Sequence, residues 1–354
     1  MRLKWLKYLA VYSVPLAVLC SIYFGGWFSY SAIIYAFGLI PFFELLTSGS
    51  IKNMDKAQEE IVRKDRVYDY LLYGLVPTQL FILGYFLFRI SVGGLETYEL
   101  VGMTLAYGVA CGVAINNAHE LGHRSNRHEQ FLSKILLMTS LYMHFFIEHN
   151  RGHHRNVATK EDPASSRYGE IIYAFYLRTV KDGWLSAWKL EKERLIKVKK
   201  SFWSLHNEML LFQLIQLGLV LAIGFFLGLQ PMFLFVLGAV AGFMQLETVN
   251  YIEHYGLQRK MKGDRYERTL PIHSWNSNHP LGRLVLLELS RHSDHHYMAS
   301  RPYQVLRHFD ESPQMPTGYP GMMLMALVPP IWFKVMHQKI DRYKESLEGQ
   351  HLAK

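Results

Sequence analysis

Cysteine is nearly absent from this 354-residue chain: there are two, Cys20 and Cys111, each inside a long apolar run. Two cysteines so placed exclude a disulfide framework, a thiolate zinc site and an iron–sulfur centre held by this chain. Repeats at a fixed period and low-complexity tracts are missing too, which excludes solenoid and array architectures. No nucleic-acid motif accompanies the formal charge of +9. The basic balance therefore reads as membrane topology and attraction to anionic lipid or an acidic partner.

Charge is also missing from long stretches. Half of the residues are hydrophobic, and they fall in blocks instead of periodic stripes. Runs of about 20 apolar residues suit a bilayer-crossing helix, and they occur at 5–24, 27–46, 68–90, 97–118, 208–228 and 231–252. The expected fold class is an all-α integral membrane protein with six transmembrane helices, built as a single membrane-embedded domain over 1–354. The block 131–147 is shorter and carries Lys134 and His144, so it reads as an interfacial or partly buried helix. A block at 319–336, interrupted by Pro320, Pro329 and Pro330, reads as lying on the membrane surface. The N-terminal MRLKWLK leads into a long apolar run with no small-residue cleavage site, and so reads as an anchor. Gly25-Gly26 suits a tight turn between the first two spans. Loop 47–67 carries Lys52, Lys56, Arg63, Lys64 and Arg66, which places it and both termini in the cytoplasm by the positive-inside rule. The segments of about 119–207 and 253–354 then share that side.

Histidine is what these two segments hold. His119-Glu120-Leu121-Gly122-His123 matches the H-E-x-x-H signature of zinc metalloproteases, with both histidines on one helical face and Glu120 as a candidate general base. His149, His153 and His154 follow at i, i+4 and i+5, His254 ends the sixth run, and His292, His295 and His296 stand at i, i+3 and i+4. Nine of the seventeen histidines thus gather at one expected membrane depth, each set able to share a helical face. A catalytic zinc takes about three protein ligands, so nine imidazoles point to two metal ions. Softness alone leaves iron, copper, nickel and zinc open. Glu120, Glu148, Glu253 and Asp294 adjoin these histidines, and Glu288 precedes His292 by four residues; such carboxylates orient imidazoles or reach the metal. Glu247 is a functional candidate as an intramembrane carboxylate. His144, His273 and His279 read as supporting or loop residues. His128, His206, His308, His337 and His351 read as ordinary core or surface histidines.

The ordered motifs HELGH, EHNRGHH, NYIEHYG and RHSDHH, with GHHRNVATKEDPASSRYGE, HSWNSN and PQMPTGYPGMM, resemble the integral-membrane non-haem di-iron alkane hydroxylases, the alkane 1-monooxygenases of hydrocarbon-degrading bacteria. The likeness runs from about 105 to 336. The wider superfamily of fatty-acid desaturases and sterol-type hydroxylases commonly carries HxxxxH and HxxHH boxes, whereas the first two boxes here are HxxxH and HxxxHH. The loop TSGSIKNMDKAQEE (47–60) also departs from the Asn-Pro-containing acidic loop of many family members. The resemblance implies two irons bound by His119, His123, His149, His153, His154, His254, His292, His295 and His296, without haem or flavin. It implies terminal hydroxylation of n-alkanes with O2 as co-substrate at a bacterial inner membrane. No paired C-x-x-C motif is present, so a separate rubredoxin and its NADH-dependent reductase are the implied electron donors. Basic residues around 181–200 and 259–268 offer an acidic rubredoxin a complementary face. Alternatives are a related oxygenase of aromatic methyl groups (xylene or cymene type), a fatty-acyl hydroxylase or desaturase, and an intramembrane zinc protease. An apolar chain can be aimed only by shape and burial, which calls for a narrow slot between spans. Gly38, Gly102, Gly108 and Gly112 read as close-packing positions rather than as its walls.

Overall fold

A run of apolar residues in a bilayer must satisfy its own backbone hydrogen bonds, and the helix does so within one segment. In the computed structural model, which describes residues 4–352 and side chains as far as 346, all six runs are helical. Arg2 of the N-terminal anchor and the side chain of His351 lie outside the described residues. In chain order the helices are α1 (Lys4–Phe24), α2 (Gly26–Leu45), the short α3 (Lys56–Lys64), α4 (Val67–Ser91) and α5 (Thr97–Gly122). Next come α6 (Arg127–Thr139), α7 (residues 145–156), α8 (Ile172–Lys197), α9 (Glu208–Leu227) and α10 (Leu229–His254). After a two-stranded hairpin (Met261–Lys262 paired with Arg265–Tyr266) follow α11 (Pro280–Val285), α12 (His292–Tyr297), α13 (Tyr319–Ala326) and α14 (Pro329–Leu352). Six of these, α1, α2, α4, α5, α9 and α10, are long and apolar enough to cross a membrane, so the chain is a multi-pass membrane protein.

The central helix is α5. Two thirds of its apolar window is buried, against 17% for α9 at the periphery. Small residues bring α5 and α10 together: a Cβ at Gly108 would meet the Ala241 Cβ at 2.7 Å, and one at Gly238 would meet the Tyr107 ring at 2.6 Å. On the other side of α5, Phe86 of α4 stacks on Tyr107 with ring centroids 4.6 Å apart. The α1–α2 turn needs left-handed backbone, with φ of 61° at Gly25 and 53° at Gly26, a conformation glycine adopts without a Cβ penalty. Glu99, which caps the start of α5, also accepts the Gly26 amide at 2.5 Å and fastens this turn to α5.

The sequence boundaries and the helices differ where chemistry begins. The α5 helix continues past residue 118 through His119 and Glu120, and α10 runs to His254, so these side chains are held on rigid helical ends. The 131–147 block is not one helix. It ends as α6 and restarts as α7 after Leu141 takes a φ of 53°, with Leu136, Leu137, Tyr142 and Phe145 buried. The 319–336 block forms α13 and the beginning of α14, whose prolines stand in first turns, where no backbone N–H is needed. Trp332, Met336 and Ile340 are buried, and Trp332 packs on Tyr251 and Tyr255 of the α10 end at 5.2 Å. One face of this block is thus packed on protein, while Leu324, Leu327, Val328 and Ile331 stay exposed.

Candidate metal centre

Helix ends that point the same way bring the four histidine motifs together. His119 and His123 come from the end of α5, His149, His153 and His154 from α7, His254 from the last residue of α10, and His292, His295 and His296 from α12. The nine imidazoles form two groups. His119, His123, His149, His154 and His295 make one, and His153, His254, His292 and His296 the other; within each group the ligand atoms lie within 4.8 Å of one another.

The partition is not what helical spacing predicts. The i, i+4 pairs His119/His123 and His292/His296 stay together, as one α-helical face requires. His149 and His153, also i, i+4, separate, because residues 149–153 form a π turn and the wider turn joins His149 to His154 at i+5 instead. His153 then faces the second group. A single π turn inside a helix is a recurrent device at functional sites.

The donor chemistry fits a cation in each group. In the first, Nε2–Nε2 distances are 2.9 Å for His119–His295, 3.0 Å for His295–His154, 3.0 Å for His154–His149 and 3.1 Å for His149–His123. In the second they are 3.1 Å for His153–His296, 2.8 Å for His296–His292 and 3.3 Å for His292–His254. Each neutral imidazole Nε2 carries either one hydrogen or one lone pair, so it can join only one hydrogen bond. At most two of the four contacts in the first group, and two of the three in the second, can then be hydrogen bonds. The remainder oppose like groups at close range unless a cation lies among them. Burial drives His123 down to about 3, and holds His149, His154, His292, His295 and His296 well below the ordinary imidazole range. They are neutral at physiological pH, which is the ligating form.

Around these rings the carboxylates do different things. Asp162, which the motif reading passed over, is buried, and its Oδ2 accepts from His153 Nδ1 at 2.9 Å, leaving the Nε2 lone pair turned into the second group. Burial lowers His153, and the Asp162 charge and hydrogen bond more than offset it, so the net shift is upward. No spacing rule connects Asp162 to a box; its one sequence signal was the Asp-Pro turn following the second motif. Glu253 Oε2 lies 3.1 Å from His292 Nε2, while Oε1 accepts from Tyr319. Glu120 binds Arg124 at 2.8 Å and the Tyr303 amide at 3.3 Å, and Asp294 binds Arg307 at 3.0 Å. Burial, with the Asp162 charge adding, pushes the Glu148 carboxyl up to about 8. Glu247 accepts from Tyr142 at 2.7 Å and Thr179 at 2.8 Å, and Glu288 ties Arg283 to Tyr8. His144 meets Tyr142 edge-on, His273 contacts Glu267, His308 bonds Asn278, and His337 bonds Tyr255; none of them enters either group.

A narrow apolar cavity of about 90 Å³ runs between α1, α2, α5 and α10 to the rings. Its walls include Val14, Ala36, Val109, Val113, Val249 and Met323, and it ends at His119, His149, His292 and Glu253, touching both groups. Its few uncharged polar side chains have protein partners: Gln245 donates to the Gly108 and Ala241 carbonyls, Asn116 to Leu286 and Asn250 to Glu247. Gly112 lines this slot, and a Cβ there would meet Gln245 Oε1 at 2.9 Å, so it serves the cavity as well as helix packing. Gly102 and Gly108 are packing positions, against Ser29 and Ala241, whereas a Cβ at Gly38 would meet only its own helix neighbour Ile34.

Residues 97–337 match the family model described as fatty acid desaturase. An alkane 1-monooxygenase of Alcanivorax borkumensis is 40% identical over 91% of this chain and 79% of its own length. The chain belongs to the alkane 1-monooxygenase branch of the fatty acid desaturase family. A second alkane 1-monooxygenase, from Pseudomonas putida, is also 40% identical, over 89% of this chain and 79% of its own. The hydroxylase component of a xylene/toluene monooxygenase from Pseudomonas putida is 26% identical over 93% of the chain. Membership in a monooxygenase family answers the question raised by HELGH. In this alkane 1-monooxygenase relative the two histidines belong to a five-imidazole group, and Glu120, paired with Arg124, is not free to act as a protease's general base.

Proposed function

We propose that the chain, acting as one membrane-embedded domain, hydroxylates the terminal carbon of n-alkanes with O2, with a metal site of two irons and electrons from a separate rubredoxin and its reductase. The observation that carries this reading is the apolar slot that ends at both imidazole groups. His119, His123, His149, His154 and His295 would hold one iron, and His153, His254, His292 and His296 the other. Bound there, the irons supply the redox chemistry by which RH, O2, two electrons and two protons become ROH and water, which zinc cannot do.

The chain's own residues bind, aim and exclude. Each methylene enclosed in the slot contributes about 0.8 kcal/mol, and a narrow slot accepts an unbranched chain end first, which favours the terminal carbon. Asp162 orients His153, and Glu253 stands beside His292, so the second group has the tighter polar support. Rings buried beneath α5, α7, α10 and α12 keep bulk water from the reacting carbon. The expected setting is the bacterial inner membrane, with the histidine-bearing ends toward the cytoplasm. Lys181 and Lys262 are exposed and held only by long contacts of 3.8 Å to Asp182 and Glu267, so they present charge to an acidic donor, whereas Arg259 is committed to the carbonyls of Glu267 and Arg155.

The test is metal content of the detergent-purified protein, followed in the same sample by octane turnover with rubredoxin, reductase, NADH and O2. About two irons per chain and 1-octanol are expected. One zinc and no alcohol would overturn the reading. Two irons without octane oxidation would keep the site and move the substrate to methylarenes or acyl chains.

A further inference from the structure

Away from the slot, a second cavity of about 540 Å³ opens between the start of α1, the loop after α2, and the segment leading into α12. Its chemistry is the opposite of the slot's. Lys4, Lys7, Lys52, Arg283, Arg291 and Arg307 line it, against the two carboxylates Glu59 and Glu288. Glu59 is taken up by Arg301, outside the lining, at 2.5 Å, whereas Glu288 sits between two lining cations, Arg283 at 2.6 Å and Lys7 at 3.6 Å, and accepts from Tyr8 at 2.9 Å; Arg307 is paired with Asp294 at 3.0 Å. No carboxylate of the described residues lies within 4.0 Å of Lys4, Lys52 or Arg291.

Arg291 is the unusual member. It is buried, with 3% exposure, and its guanidinium faces the carbonyls of Ser50, Lys52 and Leu306 while Nε has no partner. Buried charges are ordinarily paired, whereas this cation is held in place by carbonyls with no carboxylate in contact. The cavity therefore carries a fixed excess of positive charge.

Its position selects the anion. Lys4 and Lys7 stand in the first turns of a membrane-length helix, and the apolar side chains of Leu6, Leu9 and Ile51 nearby are 40%, 44% and 60% exposed. A cationic hollow edged by exposed apolar side chains at a helix end matches a phosphate headgroup with its acyl chains along the protein. We propose that this cavity is a binding site for the phosphate headgroup of an anionic membrane phospholipid. Lys7 and Lys52 supply mobile donors, and Arg291 supplies a charge that no side-chain rotation can remove.

The test uses the full chain in neutral detergent at about 0.15 M salt, where diffuse attraction is screened. Binding of short-chain phosphatidylglycerol, phosphatidylcholine and inorganic phosphate is followed by native mass spectrometry, with iron content and monodispersity recorded for each variant. Saturable phosphatidylglycerol binding is expected, weakened about thirtyfold in K7Q/K52Q, at roughly fivefold for each lysine. The K192Q/K197Q pair removes the same charge elsewhere and should leave binding within about twofold of the parent protein. K52Q alone, at a lysine with no ion pair, should lose about fivefold and keeps the test open should the Lys7 change disturb Glu288. Equal losses in both double variants, or phosphatidylcholine binding as tightly as phosphatidylglycerol, would overturn the proposal. Displacement of the lipid by an equal concentration of inorganic phosphate would assign the site to a free anion and overturn it as well.

Discussion

Replacing Asp162 by Asn should unload one metal ion and leave the other. The carboxylate is 2% exposed and has three contacts: His153 Nδ1 at 2.9 Å, Ser165 Oγ at 2.5 Å and the Ala164 amide at 3.1 Å. All three are donors, so all three require an acceptor. Asparagine keeps the shape but turns one oxygen into an NH2, which must then confront either the Ala164 amide or the His153 and Ser165 donors. A buried hydrogen bond to a charged group contributes about 1.5–3 kcal/mol, equivalent to roughly 10–150-fold in affinity at about 1.4 kcal/mol per tenfold. Losses of about 10–100-fold are usual when the group orienting a ligating histidine is removed. The effect should fall on the group of His153, His254, His292 and His296, because Asp162 touches no ring of the other group. Chelator challenge of the purified protein, with metal counted over time, should show one ion leaving about 10–100 times faster than in the parent protein and the second leaving at the parental rate. If D162N releases both ions at the parental rate, the orienting role assigned to Asp162 is wrong. If it releases both equally fast, the division into two separately supported groups is wrong.

Two further predictions address the slot and the packing around it. Val109 lines the apolar slot ten residues before His119 on α5, so Val109→Phe should obstruct its far part and cut turnover of long alkanes about 10-fold or more relative to short ones, given overpacking costs of about 1–3 kcal/mol; competition assays on mixed chain lengths would report it, and an unchanged product ratio would exclude this cavity as the substrate slot. Gly242 of α10 leaves no room for a side chain, since a Cβ there would collide with Cys111 and lie 3.1 Å from the Gly108 carbonyl, so Gly242→Leu should destabilise the α5–α10 pair by about 1–3 kcal/mol, seen as a lower thermal midpoint in the same detergent.

Much of the fold was legible because a bilayer allows few solutions. The six apolar runs needed no tertiary information to be read as helices, and the helical spans agree with them to within a few residues at most ends. The exceptions, residues 119–122 and 253–254, carry polar side chains that end the apolar runs, yet they continue α5 and α10 because other segments bury them. The 319–336 block holds more helix than its prolines suggest. Proline in a first helical turn begins a helix rather than interrupting one, and Trp332 has Tyr251 and Tyr255 to pack against.

The site divides in the same way. Nine histidines in four spaced motifs were visible in the sequence because the spacing of ligands along a helix is a local property. Their sorting into five and four was not, since it depends on a π turn at 149–153 and on which helix end faces which. Asp162 was invisible for the same reason, as its partner is nine residues away across a turn. Glu120 and Asp294, adjacent to box histidines in sequence, point instead to arginines. By itself, then, the sequence determined the helices, the membrane and the kind of ligand, all set by hydrophobicity and short-range periodicity. Tertiary structure alone decided how the rings are grouped, which carboxylates touch them, where the apolar slot meets them and where unpaired cations collect, because those outcomes rest on contacts between distant segments.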